Sequence, residues 1–144
     1  MAETRNRRRV KWLKLKLIMR EFKKYFEIHA DPKDVYHALT DQTMIEIWTG
    51  EPAEMEEVAG SEFSIWDGSI SGRNLEFVKN QKIVQEWYFG DQEEASVVTI
   101  KLHPHPRGTS MEVRQVNIPD DAFENISDGW TGDYFQSLNE LFEE

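Results

Sequence analysis

A β-hairpin predicted over residues 60–78 constrains the fold more than any other part of the chain. Phe63 and Ile65 alternate there with polar neighbours, which is the period-two pattern of a half-buried strand. The dipeptide Asp67-Gly68 follows, and glycine accepts the positive φ angles that tight hairpin turns require. The segment therefore predicts two antiparallel strands joined by a short turn, so the chain must supply a sheet for them to join.

The remaining patterns predict a strand, two short helices, several more strands and one long helix. Asp31 before Pro32 predicts the start of the first helix, with Asp31 as the N-cap. Asp41 or Gln42 starts the second helix, and Gly50-Glu51-Pro52 ends it. Strands are predicted over 21–29, 55–58, 63–66, 70–78, 82–89, 96–102 and 109–116, with a proline-rich loop at 104–108. This order is typical of the α+β class with an antiparallel sheet.

The C-terminal segment predicts the longest helix. Trp130, Tyr134, Leu138 and Leu141 recur at i, i+4, i+8 and i+11, which places them on one helical face. A long helix laid across a curved antiparallel sheet leaves a concave space between the two. We therefore expect a sheet wrapped around this helix, with the large apolar side chains between them.

The first 19 residues differ in charge from the rest of the chain. Residues 1–20 carry a net charge of +7, whereas the remainder carries −17. Because chain ends are often disordered and Met19 offers a second start, we expect residues 1–19 to be a flexible extension. Residues 20–144 are predicted to be a single domain. The alternative is that the alternating leucines at 13–17 prolong the first strand.

Composition and charge limit the partners and the location. The acidic body repels phosphates, so we expect no nucleic-acid partner. No apolar run approaches the ~20 residues that a membrane-spanning helix needs. The absence of cysteine excludes disulfides and thiolate zinc sites and fits a cytoplasmic protein. We predict no cofactor.

No catalytic or metal-binding motif occurs in the chain. The sequence has no glycine-rich phosphate loop, no nucleophile elbow and no His-Glu-x-x-His motif. His103 and His105 are predicted to lie in a loop with no nearby carboxylate, which makes them poor metal ligands. His29 and His37 are interpreted as surface or cap residues. We therefore predict neither a metal site nor a catalytic residue.

A set of aromatic residues is the best candidate for a binding site. The predicted ligand-binding residues are Trp48, Phe63, Trp87, Phe89, Trp130 and Tyr134. One interpretation is that they fill the space between sheet and helix completely. The other is that they line a cavity for an apolar ligand, as pocket walls are mostly apolar. The polar anchors available to such a ligand are the Tyr134 hydroxyl, Gln85, Thr99 and Gln115. Trp66 is predicted to face outward by alternation and to contact a partner.

The hairpin and the helix entry together carry a family resemblance. The residues concerned are Gly60, Phe63, Asp67, Gly68, Gly72, Ile83, Trp87, Gly129 and Trp130. From about residue 23 to residue 142, the chain resembles the domain named for the activator of heat-shock protein 90 ATPase. That domain belongs to the START/birch-pollen-allergen superfamily, whose fold is called the helix-grip.

The resemblance implies a fold and a choice of functions. It implies a helix-grip domain in which the matched residues make turns and core rather than catalysis. The function implied is a non-enzymatic module that binds a small apolar ligand or a protein partner such as a chaperone in the stress response. The alternative is an enzyme of the cyclase or hydrolase type that uses the same cavity. The sequence offers no positioned acid or base, which favours binding.

Overall fold

The computed structural model describes residues 19–89 and 95–143. The strands are β1 (Met19–Ile28), β2 (Glu62–Ile65), β3 (Ile70–Val78), β4 (Lys82–Trp87), β5 (Ser96–His105) and β6 (Gly108–Pro119). Two short helices, α1 (Pro32–Thr40) and α2 (Gln42–Thr49), follow the first strand. A helical segment over residues 120–141 follows the last one. The predicted α+β class and element order are confirmed.

All strands form one antiparallel sheet in the order β1-β6-β5-β4-β3-β2. The first strand pairs with the last, beginning with Met19 opposite Pro119. The register shifts where β1 pairs with β6, between Arg20 and Phe22, and within β3, where Asn74 and Glu76 flank the irregularity. Because bulges of this kind bend a strand, the sheet curves toward the helices.

Glycine is required where β3 approaches β4. A Cβ atom on Gly72 would lie 1.8 Å from the carbonyl oxygen of Glu86 and 3.0 Å from the Phe63 ring. No larger residue fits there without moving the backbone of β4. The hairpin glycine therefore sets the distance between the two strands that carry Phe63 and Trp87.

The two short helices begin and end where the sequence predicts. Asp31 precedes α1 and Pro32 is its first residue, although the Asp31 side chain makes no capping hydrogen bond. The Asp41 carboxylate caps α2 by accepting a hydrogen bond from the Met44 N–H at 3.0 Å. Gly50 ends α2 with a φ angle of 73°, a conformation that glycine adopts without strain.

The C-terminal helix, residues 120–141, changes its winding along its length. It consists of a 3₁₀ turn (Asp120–Ala122), α3 (Phe123–Asp128), a π-helical segment (Gly129–Phe135) and α4 (Gln136–Leu141). The predicted face is confirmed, since Trp130, Tyr134 and Leu138 are buried against the sheet. Segments of π-helix are rare and occur frequently at functional sites.

A strand predicted at 55–58 and a loop predicted around Pro104 are both wrong. Residues 55–58 form no strand, and the nearest pairing is a single bridge between Glu54 and Ser64. Pro104, which was predicted in a loop, belongs to β5 and pairs with Thr109. Proline is tolerated at that point because β4 begins only at Lys82, opposite Lys101, and does not pair with β5 as far as Pro104.

The predicted basic extension lies outside the described residues except for Met19, with which β1 begins. The same holds for the alternative strand at 13–17. Within 19–89 and 95–143, no helix is long and apolar enough to cross a membrane.

Candidate functional site

A groove of about 700 Å³ opens between the C-terminal helix and the half of the sheet formed by β2, β3 and β4. This volume lies within the range of about 300–1,000 Å³ that small-molecule sites occupy. The turn between β2 and β3, the end of β4 and helix residues 125–137 border the groove. Its aromatic lining consists of Trp66, Trp87, Tyr88, Phe89, Trp130 and Tyr134.

Two stacked indole rings form one side of the groove. The rings of Trp87 and Trp130 lie 5.0 Å apart at an angle of 19°. Trp130 donates its indole N–H to the side-chain oxygen of Gln115 at 2.8 Å. The Gln115 amide donates in turn to the Ser96 hydroxyl at 3.0 Å. Because Gln115 is fully buried, this chain of hydrogen bonds fixes the Trp130 ring in place.

A second chain of hydrogen bonds fixes Trp87. Its indole N–H donates to the side-chain oxygen of Gln85 at 3.1 Å, and the Gln85 amide donates to Asn74 at 3.0 Å. Asn74 then donates to the Ser61 hydroxyl at 3.1 Å. Of the predicted ligand anchors, Gln85 and Gln115 are thus already engaged by protein partners.

The Tyr134 hydroxyl differs from these amides. Tyr134 is only 4% exposed, and it borders the groove. Its hydroxyl has no hydrogen-bond partner among the described residues. Burial raises the pKa of Tyr134, so the hydroxyl keeps its proton and can both donate and accept a hydrogen bond. Of the four predicted anchors, Tyr134 is therefore the one left available to a ligand.

Trp66 lies on the groove side, and the prediction that it faces outward is wrong. Trp66 has a φ angle of 53° and Asp67 one of 52°. This left-handed region is unusual for a bulky residue, and it ends the alternation of the strand after Ile65. The indole turns inward, where its ring lies 5.5 Å from Trp48 and 5.8 Å from Tyr134. Strain of this kind clusters at functional sites.

Four of the six predicted ligand-binding residues border the groove, namely Trp87, Phe89, Trp130 and Tyr134. Trp48 and Phe63 lie behind it. The Trp48 indole donates to the carbonyl of Ala38 at 2.8 Å, and Phe63 is 2% exposed. The anchor predicted at Thr99 is wrong, because Val98 is buried on the inner face and its neighbour Thr99 points to the other side of the sheet.

Three carboxylates border the groove, and among the described residues no Lys, Arg or His does so. The acidic residues are Glu51, Asp67 and Asp133. The Asp67 N–H donates to the carbonyl of Pro52, the residue after Glu51, at 2.9 Å. Asp133 belongs to the π-helical segment. Within the described parts of the chain, none of the three carboxylates forms an ion pair.

His103 and His105 lie on β5 and outside the groove, and the prediction that no carboxylate lies near them is wrong. His103 Nε2 is 3.0 Å from a carboxylate oxygen of Glu112. His105 Nδ1 and His29 Nε2 are 3.3 Å and 3.8 Å from the two oxygens of Glu27. His103 and Glu112 lie on the adjacent strands β5 and β6, whereas His29 follows Glu27 on the same segment of the chain. Across residues 19–89 and 95–143, no group of three or more His, Asp or Glu side chains could hold a metal ion.

Comparison with protein-family models identifies the family of this chain. The model of the family described as "Activator of Hsp90 ATPase homolog 1-like protein" matches residues 29–143. The chain belongs to this family. The match includes both hydrogen-bonded indoles, the strained turn and the π-helical segment, so the whole groove lies within the family domain.

Relatives and solved structures agree with the family match. The human activator of 90 kDa heat shock protein ATPase homolog 1 is 29% identical over 117 residues, which cover 78% of this chain and 34% of the human protein. The chain thus spans about a third of that relative. A structure from Mesorhizobium loti has a TM-score of 0.73 and 27% identity, and covers 85% of this chain and 96% of its own.

A structure of an HSP90 activator from Plasmodium falciparum has a TM-score of 0.73 at 24% identity, and covers 86% of this chain and 95% of its own. At this identity the likeness bears on the fold alone. The predicted helix-grip architecture is confirmed by both structural neighbours.

Proposed function

We propose that this domain is a non-enzymatic binding module whose groove holds a small ligand with a largely apolar body. The observation that carries the proposal is the open space of about 700 Å³ beside six aromatic side chains. Aromatic rings supply large contact areas, and burying them against a ligand is favourable. The groove combines this apolar lining with a few polar groups, which is the usual composition of a small-molecule site.

The hydrogen-bond networks behind the groove support a preformed site. Gln115 and Gln85 hold the two stacked indoles from behind, and both amides are buried. A ligand entering the groove does not need to order these rings. Binding to a preorganised wall costs less conformational entropy than binding to mobile side chains.

The chemistry of the groove favours binding over the alternative of a cyclase or hydrolase. A general acid or base must be positioned within hydrogen-bond reach of the substrate. The described side chains around the groove include no histidine, and Asp67 and Asp133 are exposed. The buried amides, which could otherwise orient a reacting group, are bonded to one another and to the indoles.

Binding of N-phenyl-1-naphthylamine, a neutral apolar dye, tests the proposal. We expect micromolar affinity, equivalent to about −8 kcal/mol, and quenching of tryptophan emission. Ser137 borders the groove, so Ser137→Trp should block the dye. Gln136→Trp adds the same ring one residue away, on the exposed side of the helix, and should leave binding intact. Absence of dye binding, or equal binding by both variants, would contradict the proposal.

A protein partner is the second candidate, and family membership favours it. The human relative is named as an activator of a heat-shock ATPase, so we propose a cytoplasmic chaperone of that class as the partner. Ile47 on α2 is an exposed apolar residue, with 60% of its surface accessible. Ile47→Asp should then weaken binding to purified heat-shock protein 90 in calorimetry, without affecting dye binding. A chaperone that shows no binding heat would remove this candidate.

A further inference from the structure

We infer that the groove selects an organic cation, namely a protonated amine carried on an apolar or aromatic body. The inference deepens the proposed function and rests on it, because it concerns the charge of the ligand that the same groove would hold. Three independent features of the groove support it: its aromatic walls, its unpaired carboxylates and the free hydroxyl of Tyr134.

The aromatic walls suit an ammonium group as well as an apolar body. Cations are attracted to the faces of aromatic rings, most strongly to indole, and the attraction grows when water is displaced. Trp66 and Trp87 contribute indoles to the groove, and Tyr88 and Tyr134 contribute phenols. Trp130 supports this wall from behind, because its ring is 2% exposed and stacks on Trp87 and Phe22. An anion would meet the same ring faces unfavourably, since their electrostatic potential is negative.

The carboxylates supply a charge that the protein itself does not neutralise. Glu51 and Asp67 border the groove on the side of the turn between β2 and β3, and Asp133 borders it on the helix side. Like charges placed together disfavour the compact state, and an opposite charge relieves that repulsion. Among the described residues that border the groove, no cationic side chain fills this role. A ligand cation would do so.

The Tyr134 hydroxyl provides a directed acceptor within the groove. Its side chain is 96% buried, borders the groove and has no hydrogen-bond partner among the described residues. The hydroxyl oxygen is not among the fully buried unpaired atoms of the described residues, so it is accessible from the groove, where a ligand can act as its hydrogen-bond partner. An ammonium N–H can donate to this oxygen while the carboxylates balance its charge.

Three probes that share one naphthalene ring test the charge preference by calorimetry. They are 1-naphthylmethylamine, which is cationic at pH 7, 1-naphthylmethanol, which is neutral, and 1-naphthoate, which is anionic. We expect the amine to bind about tenfold more tightly than the alcohol, and 1-naphthoate more weakly than either. The preference should shrink in about 1 M NaCl, where the Debye length falls to ~3 Å.

Matched variants locate the preference within the groove. Asp133→Asn and Asp67→Asn should each weaken binding of the amine by about three- to tenfold and leave the affinity for the alcohol unchanged. Asparagine tolerates the left-handed conformation of residue 67, so that exchange preserves the turn. Tyr134→Phe should weaken the amine by about threefold. Glu140→Gln serves as the control, because it neutralises an exposed carboxylate of the same helix that does not border the groove. It should change the affinity for neither the amine nor the alcohol.

Two outcomes would overturn the inference in different ways. Equal affinity for amine and alcohol, with no effect of Asp133→Asn, would overturn the cation preference and leave the binding module standing. Failure of all three probes and of the neutral dye would overturn both proposals together.

Discussion

The space between sheet and helices is closed in one half of the molecule and open in the other. In the closed half, α1 covers β5 and β6, and most of the side chains packed there are aliphatic. Ile28, Val35, Met111 and Val113 have no exposed surface. In the open half, aromatic rings line a groove of about 700 Å³. Branched and flexible aliphatic chains interlock to crystal-like density, which removes residual space.

In the open half, hydrogen bonds at the ring edges hold the aromatic side chains in place. Trp130 and Trp87 donate to Gln115 and Gln85, and these amides are anchored in the sheet. A ring fixed at its edge cannot slide to fill a neighbouring gap, whereas an aliphatic chain can change rotamer. The groove therefore results from a polar network behind an apolar wall.

The largest effect is expected from Trp87→Ala. Trp87 is 7% exposed and stacks on Trp130, so its removal should destabilise the protein by roughly 3–5 kcal/mol in urea unfolding. Tyr88→Ala serves as the control. Because Tyr88 is 45% exposed, its substitution should lower the free energy of unfolding by less than about 1 kcal/mol. A loss below about 1 kcal/mol for Trp87→Ala would show that the ring is not part of the structural wall.

Most of the fold could be predicted from local patterns, since alternation and turn chemistry act over a few residues. The hairpin at Asp67-Gly68, the start of the second helix at Asp41 or Gln42 and the apolar face through Trp130 are all confirmed. The groove could be predicted in part, because Trp87 and Trp130 lie on faces that must meet. Trp66 could not, because two left-handed residues in succession cancel the alternation on which the prediction depends.

The partners of the polar side chains were also beyond prediction from the sequence. The pairing of Gln115 with Ser96 depends on strand register, which places distant residues side by side. The same holds for His103 and Glu112, which lie on adjacent strands. Periodicity assigns a residue to a face of the sheet and does not identify its neighbour across the strands.

Removing the hydroxyl of one tyrosine from each half should have a smaller effect on stability than Trp87→Ala. The Tyr36 hydroxyl donates to Glu57 at 3.0 Å, whereas the Tyr134 hydroxyl has no partner among the described residues. Tyr36→Phe should therefore destabilise by about 1 kcal/mol, and Tyr134→Phe by less than about 0.5 kcal/mol. Thermal or urea unfolding of both variants measures the difference. The reverse order would mean that Tyr134 has a structural role.

The smallest effect is expected on the outer surface of the closed half. Glu21 accepts a hydrogen bond from the Arg114 guanidinium at 2.6 Å, and this bond lowers the pKa of Glu21. A lowered folded-state pKa adds stability above the unfolded pKa of about 4.3, and that stability is lost as the pH falls through the folded pKa.

Glu21→Gln should accordingly lower the urea midpoint slightly at pH 7, because exposed ion pairs contribute little. The gap between variant and parent should narrow as the pH falls below about 4.3. Urea titrations of both proteins at several pH values measure this difference in midpoint. A gap that stays constant or widens in acid would contradict the assigned interaction.

The most direct test of the open groove is the tryptophan region of a ¹H–¹⁵N correlation spectrum during titration with N-phenyl-1-naphthylamine. The indole resonances of Trp66, Trp87 and Trp130 should move progressively, because all three border the groove. Trp48 lies behind it, with its N–H bonded to Ala38, and should move least. Unchanged indole resonances, or shifts concentrated on the backbone of α1 and β6, would contradict the account.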